Sequence, residues 1–263
     1  MSEELILTLD TSREGVRIGL LQGEKVLSHV YVAVRGRHAS GLVERLENVL
    51  ALAGKTIHEV TLLVVCIGPG SFTGVRVGMA TMQGLAVARD LPLAGVSSLD
   101  VLALKGALMG ESLTGCRGYL SCIPAGRGMY YCALYKPLPG QEADVDRISD
   151  YSCLSVQGIN EFVNVRMGFS WDDILLVGDG AADSARELAK AGVQARQLRE
   201  VHTGIAESVL MARFAFHRGF TGVVEGWSLK PLYIRRPPIL KPVDRPRSEK
   251  ITVHRRRRQK EKR

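Results

Sequence analysis

The chain has 263 residues, 46% hydrophobic and 24% charged, which is the composition of a globular protein large enough for an ample core. Its five cysteines include no C-x-x-C pair and its six histidines no H-x-x-x-H pair, so neither a disulfide framework nor a zinc site is indicated. The acidic start is not a signal peptide, and no apolar run approaches the roughly 20 residues of a membrane helix. These features predict a reduced, cytoplasmic setting without a membrane and without a bound metal.

The net charge of +8 belongs to the last part of the chain. Residues 235–263 contain 13 Lys or Arg against 3 Asp or Glu, a net of +10, whereas the other 234 residues contain 22 against 24, a net of −2. Several prolines interrupt regular structure here, and residues 237–263 are predicted to be a disordered basic tail. The tail could follow nucleic-acid phosphates, although it has no aromatic residue for base stacking, or it could serve only solubility.

Hydrophobic periodicity predicts seven elements in the first hundred residues, in the order strand, strand, strand, helix, strand, helix, strand. They cover residues 5–10, 15–21, 25–34, 38–53, 62–67, 76–89 and 93–96. The second and third strands meet at a turn after Gly23, as in a β-hairpin. This order predicts an α/β protein with the actin-like, or ribonuclease-H-like, two-lobed fold, in which mixed sheets are flanked by helices.

The second half repeats this pattern less clearly. The sequence predicts a helix at 98–109, strands at 119–123, 129–135 and 174–177, helices at 181–191 and 206–218, and an irregular region at 137–170. We therefore divide the chain into an N-terminal lobe (1–97), a second, degenerate α/β lobe (98–236) and the basic tail (237–263).

A glycine-rich turn follows the strand at 62–67 and opens the next helix. Its candidate functional residues are Gly68, Gly70, Ser71, Thr73 and Gly74. Glycines in such a turn indicate a positive φ or the close approach of another backbone, and amides at a helix start can hold an anion or contact another chain. The common nucleotide loops are excluded, because no Lys-Ser or Lys-Thr follows the last glycine and Thr73 replaces the third glycine of a dinucleotide motif.

Four features together resemble the TsaB (YeaZ) family. They are Ile-Leu-Thr-Leu-Asp-Thr-Ser at 6–12, His38 at the start of the first predicted helix, Gly-Pro-Gly-Ser-Phe-Thr-Gly-Val-Arg at 68–76, and Leu-Ala-Gly-Val-Ser-Ser-Leu at 93–99. The resemblance implies a non-catalytic subunit that binds the related enzyme TsaD. With TsaE and ATP hydrolysis, such proteins support transfer of threonylcarbamoyl to the adenosine next to the anticodon of tRNA.

The resemblance also implies a docking surface, because the family binds TsaD through the helices predicted at 38–53 and 76–89. An isolated member can form a homodimer through the same surface. The predicted interface residues are His38, Leu42, Leu46, Val49, Arg76, Ala80, Gly84 and Ala88. A row of small residues lets another helix approach closely, although packing against the chain's own sheet would also explain it. Arg76 could equally be a solvated surface arginine.

The resemblance implies no catalytic residue and no cofactor held tightly by this chain. ATP and magnesium would be used by the complex, which includes a TsaE-like ATPase. The basic tail is a candidate contact for tRNA. His38 could in principle be a general base, but no nucleophile with a supporting acid is evident in the sequence.

Asp10, Thr11 and Ser12 end the first strand, where actin-like kinases place a carboxylate near metal and phosphate. A magnesium or phosphate contact at Asp10 would make the chain an actin-fold ATPase or small-molecule kinase. We favour a turn carboxylate that caps nearby amides, because Ser12 replaces the glycine that admits phosphate. A second acidic phosphate loop is also missing, unless the Gly-Asp-Gly segment at 178–180 serves.

The chain departs from the family at one predicted hairpin. Many members have Asp-Ala-Arg there, whereas this chain has Pro124 and Gly126 in place of the acid and the arginine, with Arg127 one position on. Any role of that carboxylate in relatives therefore does not carry over.

Overall fold

The computed structural model describes residues 4–33, 41–110, 116–138, 144–197, 206–217, 223–224 and 228–234. Its strands are β1 (Leu5–Asp10), β2 (Val16–Gln22), β3 (Lys25–Val32), β4 (Leu62–Gly68), β5 (Leu93–Ser97), β6 (Gly118–Gly126), β7 (Met129–Pro137), β8 (Val145–Arg147), β9 (Ser152–Ser155), β10 (Ile174–Val177), β11 (Arg196–Gln197) and β12 (Val223–Val224). Its α-helices are α1 (Leu42–Leu52), α2 (Phe72–Arg89), α3 (Ser98–Gly110), α4 (Val156–Glu161), α5 (Ala181–Lys190) and α6 (Glu207–His217).

The first sheet has the strand order β12-β5-β4-β1-β2-β3. Strands β1, β4 and β5 run parallel, whereas β2 and β3 form an antiparallel hairpin extension of β1. All six residues of β1 are buried, because helices cover both faces of the sheet. Helices α1 and α2 pack with Leu5, Leu7 and Leu9 on one face, and α3 and α6 pack with Ile6 on the other.

The second sheet has the order β11-β10-β6-β7-β8, and β9 also pairs with β7. It is mixed as well, since β10 runs parallel to β6 and to β11 whereas β6 and β7 are antiparallel. The two mixed sheets with flanking helices confirm the predicted actin-like two-lobed fold.

Two sequence predictions are corrected. The segment predicted as irregular at 137–170 contains β8, β9 and α4, which are too short to give a clear periodic signal. Helix α2 begins at Phe72 rather than Arg76, because the Ser71 side chain caps it by accepting a hydrogen bond from the Gly74 amide at 3.2 Å.

A shared hydrophobic core joins the two sheets. Buried residues of α3 and α6 contact Ile6 and Val64 of the first sheet and also Tyr119 and Leu175 of the second. After the second sheet the chain returns to the first, where α6, β12 and residues 228–234 pack. The predicted division into 1–97 and 98–236 stays a prediction; the structure places α6 on the first sheet.

Candidate functional site

The glycine-rich turn is locked against the turn that follows β1. The Ser71 amide donates to the Ser12 carbonyl at 2.6 Å, and the Thr11 hydroxyl donates to the Gly74 carbonyl at 2.7 Å. A Cβ atom at Gly70 would lie 2.1 Å from the Ser12 oxygen, and one at Gly74 would lie 2.0 Å from the Thr11 oxygen. No side chain fits at such distances, so these two glycines have a packing role inside the chain.

Asp10 lies at the end of β1 and is only 3% exposed. Its carboxylate accepts a hydrogen bond from the Ser12 amide at 2.7 Å and lies 3.8 Å from Arg13 and 4.0 Å from Arg17. Burial alone would raise the pKa of Asp10, but the two arginines and the Ser12 hydrogen bonds outweigh it and lower the pKa below its ordinary value. The carboxylate is therefore held ionised by the chain's own groups.

Three further charged residues complete an ionic network around the buried Arg13. Its guanidinium donates to Asp179 at 2.7 Å and also to Glu207. Glu207 in turn pairs with Arg17 at 3.2 Å and with Lys105 at 3.0 Å. We call these six residues the interlobe network: Asp10, Arg13, Arg17, Lys105, Asp179 and Glu207. Its members come from β1, the β1–β2 turn, β2, α3, the turn after β10, and α6.

The interlobe network occupies the place where a nucleotide would be expected. In α/β proteins, ligands bind at the carboxyl ends of the strands, and Asp10 and Asp179 lie at those ends of β1 and β10. Magnesium needs carboxylate oxygens that are free to coordinate it, whereas Asp10 already faces two guanidinium groups. Asp10, as it is paired in this structure, therefore does not fit the role of a magnesium ligand.

Sequence reasoning missed four members of the network, namely Arg13, Arg17, Lys105 and Glu207. Each is an ordinary charged residue in its own segment, and Arg13 and Glu207 are 194 positions apart. Only Asp10 and Asp179 were singled out, because each stands in a turn after an apolar strand. No local signal connects the remaining four.

The predicted docking surface needs one correction. Leu42, Leu46 and Val49 of α1 are between 0% and 3% exposed and belong to the core under the first sheet, so a partner cannot reach them. The exposed apolar side chains of α1 are instead Val43 and Leu52. His38 lies outside the described residues.

Helix α2 presents the other predicted interface residues on its outer side. Arg76, Ala80, Gly84 and Ala88 are all exposed, and Val87 next to them is 64% exposed. Helices α1 and α2 cover the same face of the first sheet, α1 over β2 and β3 and α2 over β4, β1 and β5. We call the exposed outer side of these two helices the α1–α2 face, defined by Val43, Leu52, Ala80, Gly84, Val87 and Ala88.

One end of the α1–α2 face carries an arginine between two aromatic rings. The Arg76 guanidinium lies 3.9 Å from the centre of the Phe72 ring, and its Nε donates to the Tyr233 hydroxyl at 2.8 Å. Sequence reasoning did not find this arrangement, because Tyr233 is 157 positions from Arg76.

The hairpin that departs from the family pattern is tight. Gly126, Arg127 and Gly128 have φ of 77°, 56° and 69°, so three successive residues at its tip adopt left-handed conformations. Glycine at 126 suits that geometry better than the arginine it replaces. Pro124 stands opposite Tyr130 in the β6–β7 ladder.

Within the described part of the chain, no group of three or more His, Cys, Asp or Glu side chains could hold a metal ion. None of the helices in these described ranges is both long enough and apolar enough to cross a membrane.

Two mixed sheets, flanked by helices and joined through α3 and α6, define a two-lobed protein of the actin-like class. A family model described as "TsaD: tRNA N6-adenosine threonylcarbamoyltransferase" matches residues 32–198. The chain therefore belongs to this family, and its relatives place it on the TsaB (YeaZ) branch, as the sequence resemblance predicted.

Those relatives include the tRNA threonylcarbamoyladenosine biosynthesis protein TsaB of Escherichia coli, 34% identical over 131 residues, which are 50% of this chain and 54% of that protein. The Haemophilus influenzae TsaB is 38% identical over 39% of this chain and 43% of that protein. The matched segments thus span about half the length of these curated relatives. A solved Pseudomonas aeruginosa protein, described as similar to peptidase YEAZ, has a TM-score of 0.70 and 26% identity, over 88% of this chain and 100% of that one.

Proposed function

We propose that the chain is a non-catalytic subunit in tRNA threonylcarbamoyladenosine biosynthesis, and that it binds a TsaD-like catalytic partner through the α1–α2 face. The pathway is the one that the names of its TsaB relatives print. We infer a TsaD-like partner because the description of the matching family model names that transferase.

The observation that carries this proposal is the surroundings of Gly84. Apart from the adjacent residues and the backbone of its own helix turns, no described atom would lie within 4 Å of a Cβ added there, so packing within the described chain does not require glycine. Glycine inside a helix costs about 1 kcal/mol relative to alanine. A second helix crossing close to the Gly84 backbone would explain why this cost is tolerated.

The neighbours of Gly84 suit the same explanation. Ala80 and Ala88 lie one turn away on either side, Val87 is exposed on the same helix, and Val43 and Leu52 are exposed on α1. A small central strip with apolar flanks resembles the centre of a protein–protein interface. We propose that the same face forms a homodimer when the partner is absent, since a self-complementary patch can serve both.

The interlobe network supports a non-catalytic role. Asp10, the carboxylate on which an ATPase or kinase would depend, is paired with Arg13 and Arg17. We infer that the chain holds no nucleotide tightly, and that ATP and magnesium act elsewhere in a complex that includes a TsaE-like ATPase. A contact of the basic tail with tRNA, and a cytoplasmic location, remain parts of this proposal.

The experiment is light scattering after size exclusion, with the chain alone and mixed with the TsaD-like protein of the same organism. A one-to-one complex that displaces a homodimer is the expected result. The absence of a complex at micromolar concentration, with or without ATP and the TsaE-like protein, would overturn the proposal. A version of the chain that ends at residue 236 separates partner docking from tRNA binding by the basic tail. It should still form the complex but lose salt-dependent tRNA binding.

A further inference from the structure

We propose that Arg13 is an ionic latch that holds the two lobes together. Arg13 stands in the turn between β1 and β2 of the first sheet, and its side chain is 3% exposed. It donates to Asp179 in the turn between β10 and α5 of the second sheet at 2.7 Å. This single hydrogen bond joins positions 166 residues apart, directly between the two lobes.

Glu207 holds Arg13 from the side of the first sheet, on which α6 packs. It starts α6, is 9% exposed, and accepts from Arg13 while it pairs with Arg17 and Lys105. Lys105 belongs to α3, the helix whose buried side contacts both sheets. One terminal nitrogen of Arg13, Nη2, therefore faces Asp10 and Glu207 at the first sheet. The other, Nη1, faces Asp179 after β10 of the second sheet.

The charges of the network balance, with three cations and three carboxylates among the described residues. Burial alone would lower the pKa of Arg13, but Asp179 and Asp10 raise it above its ordinary value, so the residue stays charged. Removing one partner of a buried pair leaves an uncompensated charge, which is strongly destabilising. Moving the lobes apart would separate Arg13 from Asp179 and remove one of its three carboxylate partners. The cost should be smaller than for a fully unpaired charge, because Asp10 and Glu207 would remain beside Arg13.

The network also shows where the latch would open. Among the described residues, none accepts a hydrogen bond from the buried Nε of Arg13, so the guanidinium depends on its two terminal nitrogens. Asp179 is the outermost member of the network bonded to Arg13, with a side chain 34% exposed against 4% for Asp10 and 9% for Glu207. Water can reach Asp179 first, and the Arg13–Asp179 bond is therefore the one that a change in lobe angle breaks.

The test measures the distance between the lobes in the full chain. Unnatural ketone-bearing residues at Glu24, in the β2–β3 turn, and Ala189, on α5, carry spin labels without using the five cysteines. Both positions are exposed. Pulsed electron–electron double resonance measures the distance between the two spin labels. Diluting the labelled protein with unlabelled protein restricts the measurement to distances within one chain, even when a homodimer forms.

Asp179→Asn is the main variant, because it removes the charge at the exposed edge and leaves Arg13 paired with Asp10 and Glu207. We expect a longer and broader distance distribution than in the wild type. Arg13→Gln should widen it further, although this variant could fail to fold. The matched control is Arg186→Gln, which removes an exposed pair with Asp183 within the second lobe and should leave the distribution unchanged.

Hydrogen exchange distinguishes a latch from a merely local effect. If Asp179→Asn folds and its distance distribution equals that of the wild type, the latch is refuted, even if amides at 178–181 exchange faster. If the distribution widens, amides that face the opposing turn at 10–13 should also exchange faster. About tenfold is the factor expected from a loss of roughly 1.4 kcal/mol.

Discussion

Thr11 holds the first turn of α2 from two directions through Gly74. The Thr11 hydroxyl donates to the Gly74 carbonyl at 2.7 Å, while the Thr11 carbonyl lies 2.0 Å from where a Gly74 Cβ would be. The β1–β2 turn and the start of α2 are thus fitted to each other at backbone contact. The glycine-rich turn, which could have been a ligand loop, is a joint between two elements of the first lobe.

The backbone contact between Thr11 and Gly74 predicts that glycine-to-alanine substitutions at two positions of α2 have opposite effects on the stability of the fold. Gly74→Ala should destabilise the fold by about 1–3 kcal/mol or more, because the new methyl overlaps the Thr11 carbonyl and neither backbone can move freely. Gly84→Ala should stabilise it by about 0.5–1 kcal/mol, because its methyl meets open space and alanine favours a helix. Urea unfolding followed by circular dichroism measures both, and equal effects of the two changes would contradict the joint.

If the α1–α2 face is the docking surface, a large side chain at position 84 should weaken partner binding without destabilising the monomer. Gly84→Leu should weaken binding to the TsaD-like protein by at least about tenfold, or about 1.4 kcal/mol, because a large side chain separates the two helices. Calorimetric titration measures the affinity, and thermal unfolding checks the monomer. Ala189→Leu, also on an exposed helical position but in the second lobe, is the control. Undiminished affinity of the Gly84 variant would place the interface elsewhere.

The network predicts an acid-dependent contribution from Asp10. Its pKa in the folded chain lies below the ordinary value of 3.8, so the ionised carboxylate stabilises the fold above that pH. This contribution disappears as the pH falls below 3.8 and through the lower folded value. Asp10→Asn should therefore cost about 1–3 kcal/mol at pH 7 and progressively less at strongly acidic pH.

Denaturant titrations of the wild type and of Asp10→Asn across this range give the two stability curves. A difference in the free energy of unfolding that stays constant down to pH 2 would show that Asp10 is not held ionised by Arg13 and Arg17.

The five cysteines should fall into two groups. Burial raises the pKa of Cys66 and of Cys122, and it raises that of Cys132 to about 12 with a smaller contribution from Cys153. These three buried thiols should resist a thiol reagent such as dithionitrobenzoate at pH 8, whereas the half-buried Cys116 and Cys153 should react. The expected count is two thiols in the native chain and five after unfolding. Rapid reaction of a third thiol in native protein would contradict the packing around β4, β6 and β7, which hold Cys66, Cys122 and Cys132.

The paired state of Asp10 predicts that the purified chain alone does not turn over ATP. Phosphate release should equal the background, and Asp10→Ala should leave it unchanged, because the Asp10 carboxylate is already paired with Arg13 and Arg17. Turnover that Asp10→Ala removes would instead establish the actin-fold ATPase that competes with the docking role.

Local sequence patterns predict most helices and strands. They do not show which side of a helix packs on the chain's own sheet and which side is exposed. The spacing of Leu42, Leu46 and Val49 correctly predicts helix α1, yet an apolar stripe of this kind packs on the chain's own sheet. Assigning those residues to a partner confused the inner side of the helix with the outer one. Val43 and Leu52 carry no periodic signal, and only the packed structure shows that they are exposed.

By itself, the sequence determined the order of the elements, the fold class and the special backbone at the glycine-rich turn, because periodicity and glycine chemistry act over a few neighbouring residues. The tertiary structure alone decided what the charged residues do. Asp10 is a paired carboxylate because Arg13 and Arg17 face it. Arg13 meets Asp179 and Glu207 because folding brings three distant segments together around its buried guanidinium, where an unpaired charge is costly.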